Sequence, residues 1–396
     1  QLRPGRFCRP WARCLVGPAS HRSQTAAMNL PAASYLNDIY FDWGGVTQTA
    51  SLLPRYGIQN PLVVTDRHLK ALGIVDRTGL SDYAVFDDVE TNPSESSARE
   101  ALERYRTSGC DGLIAIGGGS PIDLAKIVGL MVEHTDLLAS YAIVERGPAA
   151  ITGDVPPLVA VPTTAGSGSE VGRAALITVR DGRKLGFLSP KLLPVAAVCD
   201  PELTVSCPDS LTAATGMDAI SHCVEAILSP RANPVADVLA RDGLTRGVRA
   251  IRQVRENPQS RRDREDMVWC SVLGGLAFQK GLGVVHALSH PLGRFEGLRL
   301  HHGTLNGLFL PEVLRFNANA KIEMKTVSNA VGGVDPASFF EDLLVALNLP
   351  SRLSDLGVTE SHIQSSATLA ATDHCVATNP RPFSEVDALN LYRRCL

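Results

Sequence analysis

The sequence has 396 residues, of which 44% are hydrophobic and 20% charged, and its 38 basic and 41 acidic side chains give a formal net charge of −3. This balance fits an ordinary globular protein with room for two domains and gives no basic surface of the kind that nucleic acids or anionic membranes require. No apolar run reaches the ~18 residues of a membrane span. The nine cysteines form no CxxC pair, which argues against a disulfide framework and predicts a reducing, cytoplasmic setting.

The N-terminal segment differs from the rest in composition. The first 27 residues contain five arginines and no acidic residue, and Met28 stands where a native start could lie. This composition is typical of an organellar transit peptide and also of a non-native extension, and we favour the second interpretation. We therefore expect residues 1–34 to be a disordered leader or non-native extension and exclude them from the fold.

Short apolar runs alternate with helical stretches from residue 35 to residue 207. Runs that are apolar on both faces are typical of buried parallel strands covered by helices, so this half predicts a doubly wound α/β domain. The predicted strands are 61–65, 83–86, 112–116, 157–162 and 196–199. Asp181 and Gly182 separate two strand-like arms within 174–187, which predicts an antiparallel hairpin appended to that sheet.

The pattern becomes helical after Pro208. Apolar residues recur with helical spacing in 211–228, 235–254, 264–278 and 339–347. We therefore predict an all-α, metal-binding domain over residues 208–396.

A glycine run follows one of the predicted strands, in the segment DGLIAIGGGSPIDLAK at 111–126. Gly117 to Gly119 would let the main chain approach an anion closely, and Pro121 stands where a helix would begin. The amino end of that helix would attract a diphosphate. Such a run is as often only a tight turn, and it is neither the GxGxxG nor the GK[ST] phosphate motif.

Two further features favour a dinucleotide site. The segment VPTTAGSGSE at 161–170 also follows a predicted strand and places the hydroxyls of Thr163, Thr164 and Ser167 among glycines. Asp66 follows another strand, where a carboxylate can bind ribose hydroxyls and repel a 2′-phosphate, which favours NAD over NADP. Its alternative role is to cap the next helix.

Histidines cluster in the helical half. Asp218 and His222 are four residues apart, His286 and His290 repeat this spacing, and His301 and His302 follow. Side chains four apart share a helix face, so an aspartate and several imidazoles could bind one transition metal. A lone pair of this kind is more often a surface pair or a satisfied core histidine, but both pairs lie in apolar helices where burying an imidazole is costly.

These blocks, taken in order, resemble the iron-containing (group III) alcohol dehydrogenase family. The matching motifs are GGGSPIDLAK, VPTTAGSGSE, DPEL, GMDAISHCVEA and VVHALSHPLG followed by HHG, and they span nearly all of residues 35–396. The resemblance implies a dehydroquinate synthase-like fold. Its dinucleotide-binding α/β domain would precede an all-helical domain, with the active site in the cleft between them.

The resemblance also implies roles for individual residues. The implied metal ligands are Asp218, His222, His286 and His302. The implied cofactor residues are Asp66, Gly117, Gly118, Gly119, Ser120, Asp123, Thr163, Thr164, Ser167 and Lys184. His290 matches a nonligand histidine near the substrate. Two departures are His301, which rivals His302 as fourth ligand, and Gly172, which replaces a common threonine.

The resulting prediction is a metal-dependent, NAD-dependent alcohol dehydrogenase or aldehyde reductase that transfers hydride from a small alcohol. We expect Fe²⁺, with Zn²⁺ as the alternative, NAD rather than NADP, His290 in the proton relay, and a homodimer or higher homo-oligomer. A maleylacetate reductase-like enzyme is disfavoured by the complete ligand set. A dehydroquinate synthase-related lyase would place more basic residues around its cleft, and a noncatalytic scaffold would not need the glycine loop.

Overall fold

The computed structural model describes residues 37–298, 300–318 and 321–396. The predicted leader at 1–34 lies outside the described residues. The described residues belong to one compact unit, so the predicted domain boundary at 207/208 stays a prediction.

A six-stranded parallel sheet forms the first half of the fold. Its strands lie in the order β1-β8-β5-β4-β2-β3. These strands are β1 Asp38–Phe41, β2 Pro61–Val64, β3 Ala84–Phe86, β4 Gly112–Gly117, β5 Leu158–Pro162 and β8 Ala196–Cys199. β2, β4, β5 and β8 are buried along their whole length, as expected for strands covered on both faces.

Helices connect and cover these strands. They are α1 Thr49–Leu52, α2 Arg67–Ala71, α3 Glu95–Thr107 and α4 Gly119–Glu133. Because β5, β4 and β2 are neighbours and parallel, the segments that follow their carboxyl ends lie side by side at one edge of the sheet. Ligands of open α/β sheets bind at this edge.

All five predicted strands of the sheet are confirmed, and two details differ from the prediction. The sequence pattern missed β1, a short edge strand that pairs only with β8. The hairpin is confirmed as β6 Ala174–Thr178 and β7 Lys184–Leu188, but it forms its own two-stranded sheet and is not appended to the parallel one. Gly182 has φ +82°, the left-handed conformation that its turn requires.

The second half is helical, as predicted. Its helices are α5 Asp209–Leu228, α6 Pro234–Glu256, α7 Arg261–Ala277, α8 Val284–Leu292, α9 His302–Phe316, α10 Lys321–Ala330, α11 Pro336–Ala346, α12 Glu360–Ala371 and α13 Glu385–Cys395. α5 is the central helix and packs against α6, α7 and α9, so that most of its residues are buried.

Within the described residues, the length and apolarity that a membrane crossing needs are found in no single helix. Only when taken together do α7 with its following turn (Arg261–Lys280) and α8 have the required length and apolarity, and the chain bends by 103° between them. α8 is almost wholly buried inside the helical half.

Candidate active site

The glycine loop and the hydroxyl-rich segment are in contact at the sheet edge. α4 begins at Gly119, and a Cβ added at Gly118 would lie 3.2 Å from Thr164 Oγ1. A Cβ added at Gly119 would lie 3.0 Å from Ser167 Cβ. The main-chain N–H of Thr163 donates to the carbonyl of Gly117 at 3.0 Å. The two predicted walls of a phosphate groove therefore face each other, with the amino end of a long helix between them.

Asp66 lies next to this loop and caps α2. Its Oδ1 accepts a hydrogen bond from the N–H of Leu69 at 2.8 Å. The side chain of Leu69 would be 3.2 Å from a Cβ added at Gly117. The capping role is thus present, and the helix that Asp66 caps reaches the glycine loop through Leu69.

Replacing Asp66 by Asn is expected to let NADP compete with NAD. The amide keeps an oxygen for the cap but removes the negative charge, so we expect kcat/KM for NADP to rise by about 10- to 100-fold through lost repulsion of a 2′-phosphate. Steady-state kinetics with both cofactors would measure this. Asp88→Asn, which removes the neighbouring carboxylate paired with Arg67, is the control; an unchanged cofactor preference in Asp66→Asn would reject Asp66 as the discriminating residue.

The structure gives Asp123 protein partners and leaves Ser120 at the loop surface. Asp123 is half-buried, and its two oxygens accept from the Ser169 hydroxyl at 2.5 Å and the Leu176 N–H at 2.9 Å. These bonds tie the hydroxyl-rich segment and the hairpin to α4, so the geometry favours a positioning role over cofactor contact. The Ser120 hydroxyl donates to the carbonyl of Thr91 at 2.5 Å.

Lys184 points from the hairpin towards the helical half. Its Nζ donates to Asn92 Oδ1 at 3.1 Å and would lie 3.8 Å from a Cβ added at Gly293, just after α8. Burial lowers the pKa of Lys184, and the nearby Asp123 opposes this shift. The ammonium group of Lys184 therefore lies between the phosphate groove and the histidines.

The four predicted metal ligands converge around one carboxylate oxygen. Asp218 Oδ1 lies 3.7 Å from His222 Nε2, 3.8 Å from His286 Nε2 and 3.7 Å from His302 Nε2. α5 supplies the first two residues one turn apart, α8 supplies His286, and α9 begins with His302. Asp218, His222 and His286 are at most 5% exposed. Donor atoms bonded to one cation at about 2.1 Å are separated by distances of about this size. The donor atoms of Asp218, His222 and His286 lie within 4.8 Å of one another, and His302 joins this group through its distance to Asp218.

The protonation states suit a metal site. Burial lowers the pKa of His222 to about 4 and places the pKa of His302 well below its ordinary value, so both imidazoles are neutral at pH 7 and each has a lone pair that could bind a cation. Burial acts to raise the pKa of Asp218, but the neighbouring imidazoles outweigh it and keep this carboxyl ionised.

Glu225 orients His286. The Nδ1–H of His286 donates to Glu225 Oε2 at 2.6 Å, and Glu225 Oε1 accepts from the N–H of Val285 at 2.7 Å. Burial disfavours a charged His286, but the bond to Glu225 overcomes this and raises its pKa. Because Nδ1 carries the proton, Nε2 presents its lone pair to the cluster, the arrangement that metal-binding histidines adopt with a second carboxylate.

His302 and not its neighbour His301 joins the cluster. His301 is the N-cap of α9, and its buried Nδ1 has no hydrogen-bond partner among the described residues. His302 instead stacks on His290, with ring centroids 5.4 Å apart and an interplanar angle of 10°. The geometry therefore favours His302 as the fourth ligand.

His290 lies beside the cluster and is bound to a second carboxylate. Its Nδ1–H donates to Asp373 Oδ2 at 2.9 Å, which leaves Nε2 as the basic nitrogen of the ring. Donor atoms of His290, Asp373, His374 and Cys375 lie within 4.8 Å of one another, so these four residues form a second group capable of holding a cation.

The two halves meet where the groove and the cluster adjoin. A Cβ at Gly168 would lie 2.5 Å from the Cα of Gly275 in α7, and one at Gly172 would lie 2.9 Å from Phe278. The ring of Phe278 packs edge-on against His222 at 5.3 Å. The segment that lines the phosphate groove is thus packed directly against the helices that carry the histidines.

Two family models together match most of the chain. The model described as iron-containing alcohol dehydrogenase matches residues 37–201, and the C-terminal model of the Fe-containing alcohol dehydrogenase family matches 212–396. The chain belongs to the iron-containing alcohol dehydrogenase family. The predicted family and the prediction of an oxidoreductase acting on CH–OH groups are therefore confirmed.

Individual relatives agree with this membership. The chain is 47% identical to 4-hydroxybutyrate dehydrogenase of Cupriavidus necator over 91% of its own length and 98% of the relative's. It is 32% identical to NAD-dependent methanol dehydrogenase of Bacillus methanolicus, over 89% and 96% respectively. A crystal structure of 1,3-propanediol oxidoreductase aligns with a TM-score of 0.87 at 33% identity and covers 92% of this chain and 100% of that one. The predicted fold class is confirmed by this likeness.

Sequence reasoning missed three polar residues of the site: Glu225, Asn306 and Asp373. Glu225 lies seven residues after Asp218 on the same face of α5, and Asn306 lies four after His302 on α9, so helical spacing could have revealed both. Asp373 is 83 residues from its partner His290 and carries no such signal.

Proposed function

We propose that this chain is an NAD-dependent, divalent metal-dependent alcohol dehydrogenase that interconverts a small alcohol and its aldehyde by hydride transfer. The observation that carries the proposal is the convergence of three imidazole nitrogens, at 3.7–3.8 Å, on one buried carboxylate oxygen. A buried carboxylate that faces three imidazole nitrogens, two of them on rings neutral at pH 7, is an arrangement that a bound cation would stabilise.

The donor set fits a divalent transition metal. Three nitrogens and one oxygen suit Fe²⁺ and also Zn²⁺, and the absence of sulfur from the set disfavours softer ions. We propose Asp218, His222, His286 and His302 as the ligands, with Fe²⁺ as the resident ion in keeping with the family's description.

The groove at the sheet edge fits a dinucleotide. Gly118 and Gly119 stand at the amino end of α4, where main-chain N–H groups favour an anion, and their lack of Cβ atoms lets the hydroxyl-bearing side chains of Thr164 and Ser167 pack directly beside them. Two similar proteins support NAD: the methanol dehydrogenase is named as NAD-dependent, and a reductase of 26% identity is described in complex with NAD⁺.

When bound, the metal supplies Lewis acidity and NAD supplies the hydride acceptor. The chain's own residues hold these groups, exclude water and handle the proton. The burial of Asp218 and His222 strengthens every charge interaction at the site. His290 Nε2 takes the alcohol proton in oxidation, directly or through a water, and Asp373 stabilises the imidazolium that results.

Relatives of known name narrow the substrate class. One acts on 4-hydroxybutyrate, two on 1,3-propanediol and one on methanol, which are all small primary alcohols. We propose that this chain acts on a primary alcohol of this size. The complete ligand set supports an alcohol dehydrogenase over a maleylacetate reductase-like enzyme of the same fold.

The function is tested by metal removal and restoration with an alcohol panel. Purified protein is stripped with a chelator, reloaded with Fe²⁺ or Zn²⁺ without oxygen, and assayed for NADH formation with methanol, 1,3-propanediol, 4-hydroxybutyrate and longer primary alcohols. Activity that disappears on stripping and returns with about one metal ion per chain supports the proposal. No activity on any alcohol or matching aldehyde with the reloaded protein would reject it.

Replacing His290 by Ala is expected to slow turnover and leave the metal in place. Loss of a general base typically costs about 10²- to 10⁴-fold in kcat. Metal content and kcat across pH would measure the two effects. Asp373→Asn, which weakens the orientation of the ring but leaves its Nε2, should cost less; loss of metal from His290→Ala would instead make His290 a ligand.

A further inference from the structure

The amide of Asn306 lies among the proposed metal ligands. Asn306 is fully buried in the second turn of α9, and its Nδ2 lies 2.7 Å from Asp218 Oδ1, 3.1 Å from His286 Nε2 and 3.0 Å from His302 Nε2. It thus contacts three of the four residues at once.

These contacts exceed what one amide group can satisfy. An Asn NH₂ has two hydrogens, while three acceptors face it. His286 Nε2 is an acceptor because its Nδ1–H is committed to Glu225. In addition, the buried Oδ1 of Asn306 has no partner among the described residues. The Nδ2 of Asn306 has fewer hydrogens than acceptors, and its Oδ1 has no donor. Burying such an amide costs free energy unless the site also binds another group.

We propose that Asn306 is a positioning residue of the metal centre: its amide gathers Asp218 and the imidazoles of His286 and His302 before a divalent cation binds, and it stays bonded to Asp218 afterwards. The inference rests on the proposed function, because it assumes that these residues are ligands. With the metal bound, both imidazole lone pairs are taken by the cation, and the two hydrogens of Asn306 are left with Asp218 as their acceptor. Binding of the cation therefore removes the excess of acceptors that faces the amide nitrogen of Asn306.

The helix explains why this position suits the task. Asn306 follows His302 by four residues, so both side chains lie on the face of α9 that packs on α5. A donor fixed on the same helix as one ligand can orient the carboxylate of the other helix without adding charge. Groups that hydrogen-bond to metal ligands in this manner typically contribute 10- to 100-fold to metal affinity.

The test measures metal affinity without alcohol or NAD. Stripped wild-type protein and the variant N306A are titrated with Zn²⁺ against a competing chelator, and we expect N306A to bind 10- to 100-fold more weakly. Asn317→Ala is the matched control, because Asn317 is a similarly buried asparagine just after the end of α9, and its side chain exchanges hydrogen bonds with Asn379 and with none of the four proposed ligands. Asn317→Ala should change the dissociation constant for Zn²⁺ by no more than about twofold. This is well below the change expected on losing a residue that hydrogen-bonds to the metal ligands.

A second variant keeps the test decisive if N306A does not fold. N306D has the same size but replaces the donor by a carboxylate that faces Asp218, so its metal-free form should melt well below the wild type. Zn²⁺ should then raise its Tm by more than it raises that of the wild type. Wild-type affinity in N306A, or an ordinary Zn²⁺-induced rise in Tm for N306D, would overturn the inference.

The outcomes separate this inference from the proposed function. If the wild type binds Zn²⁺ tightly and N306A weakly while no alcohol is oxidised, the positioning role stands and the dehydrogenase activity fails. If alcohols are oxidised and N306A binds Zn²⁺ like the wild type, only the positioning role fails. A wild type that binds no divalent cation would overturn both.

Discussion

Replacing His286 by Ala is expected to abolish metal binding and turnover together. His286 is 1% exposed and supplies one of the three nitrogens that converge on Asp218. Its loss also leaves Glu225, which is 3% exposed, without its main partner, so an uncompensated charge remains in the core. Lewis-acid stabilisation amounts to several kcal/mol, which corresponds to a fall in kcat of at least about 10³-fold.

Three measurements define this result. Metal content is determined on the purified variant, kcat is measured with the best alcohol of the panel, and NAD binding is titrated separately. We expect NAD affinity to be retained, because the phosphate groove is built from the sheet edge and not from α8. His134→Ala is a suitable control, since His134 lies outside the cluster and bonds main-chain groups of Leu130 and Thr152. Full metal content with full activity in His286→Ala would refute the ligand assignment.

Replacing Gly303 by Ala is expected to separate α9 from α5 and to disrupt the metal centre without touching a ligand. A Cβ at Gly303 would overlap the carbonyl oxygen of Ala214 and lie 3.1 Å from the Cβ of Asp218. The obstacle is main chain, so the helices must move apart. Overpacking of this kind typically costs about 1–3 kcal/mol. Because His302 precedes Gly303 directly, we also expect loss of metal affinity and a drop of about 10²-fold in kcat, as for a 1 Å misplacement.

Gly307 offers a matched control on the same helix. A Cβ there would lie 3.2 Å from the side chains of Leu344 and Met217, which can shift, so Gly307→Ala should cost less stability and retain the metal. Denaturant unfolding and metal content of both variants would show the difference. Equal stability and equal metal content in Gly303→Ala and the wild type would mean that the close approach of α9 to α5 does not position the centre.

The sequence predicted most of the sheet because buried parallel strands leave an unmistakable apolar signal. The short strand β1 escaped because it is an edge strand of four residues, of which Asp38 is exposed. The hairpin was recognised from Asp181 and Gly182, but no local pattern specifies whether a hairpin joins a neighbouring sheet. That choice depends on packing across long sequence separations.

The candidate site, like the sheet, has parts that the sequence pattern reveals and parts that it does not. His222 and Asp218 on one turn of α5 are visible as a spacing pattern. The histidine clustering also predicts that the later imidazoles join them, but only the resemblance says which histidines of α8 and α9 do so. The roles of Asp123 and Asp66 illustrate the limit of the resemblance. The resemblance implies that each carboxylate serves the cofactor, and each also has a main-chain N–H partner; for Asp66 this is the helix cap that the sequence predicts as its alternative role.

X-ray absorption spectroscopy of the Zn²⁺-reloaded protein reports which atoms surround the cation and therefore shows whether Asp218 and the three histidines bind it. We expect about one ion per chain, bound by three imidazole nitrogens and one carboxylate oxygen at about 2.0–2.2 Å and by no protein sulfur. A sulfur neighbour at about 2.3 Å would place the ion instead at the group that contains Cys375. That result, or a Zn²⁺ ion bound by fewer than three imidazoles, would contradict the proposed metal centre.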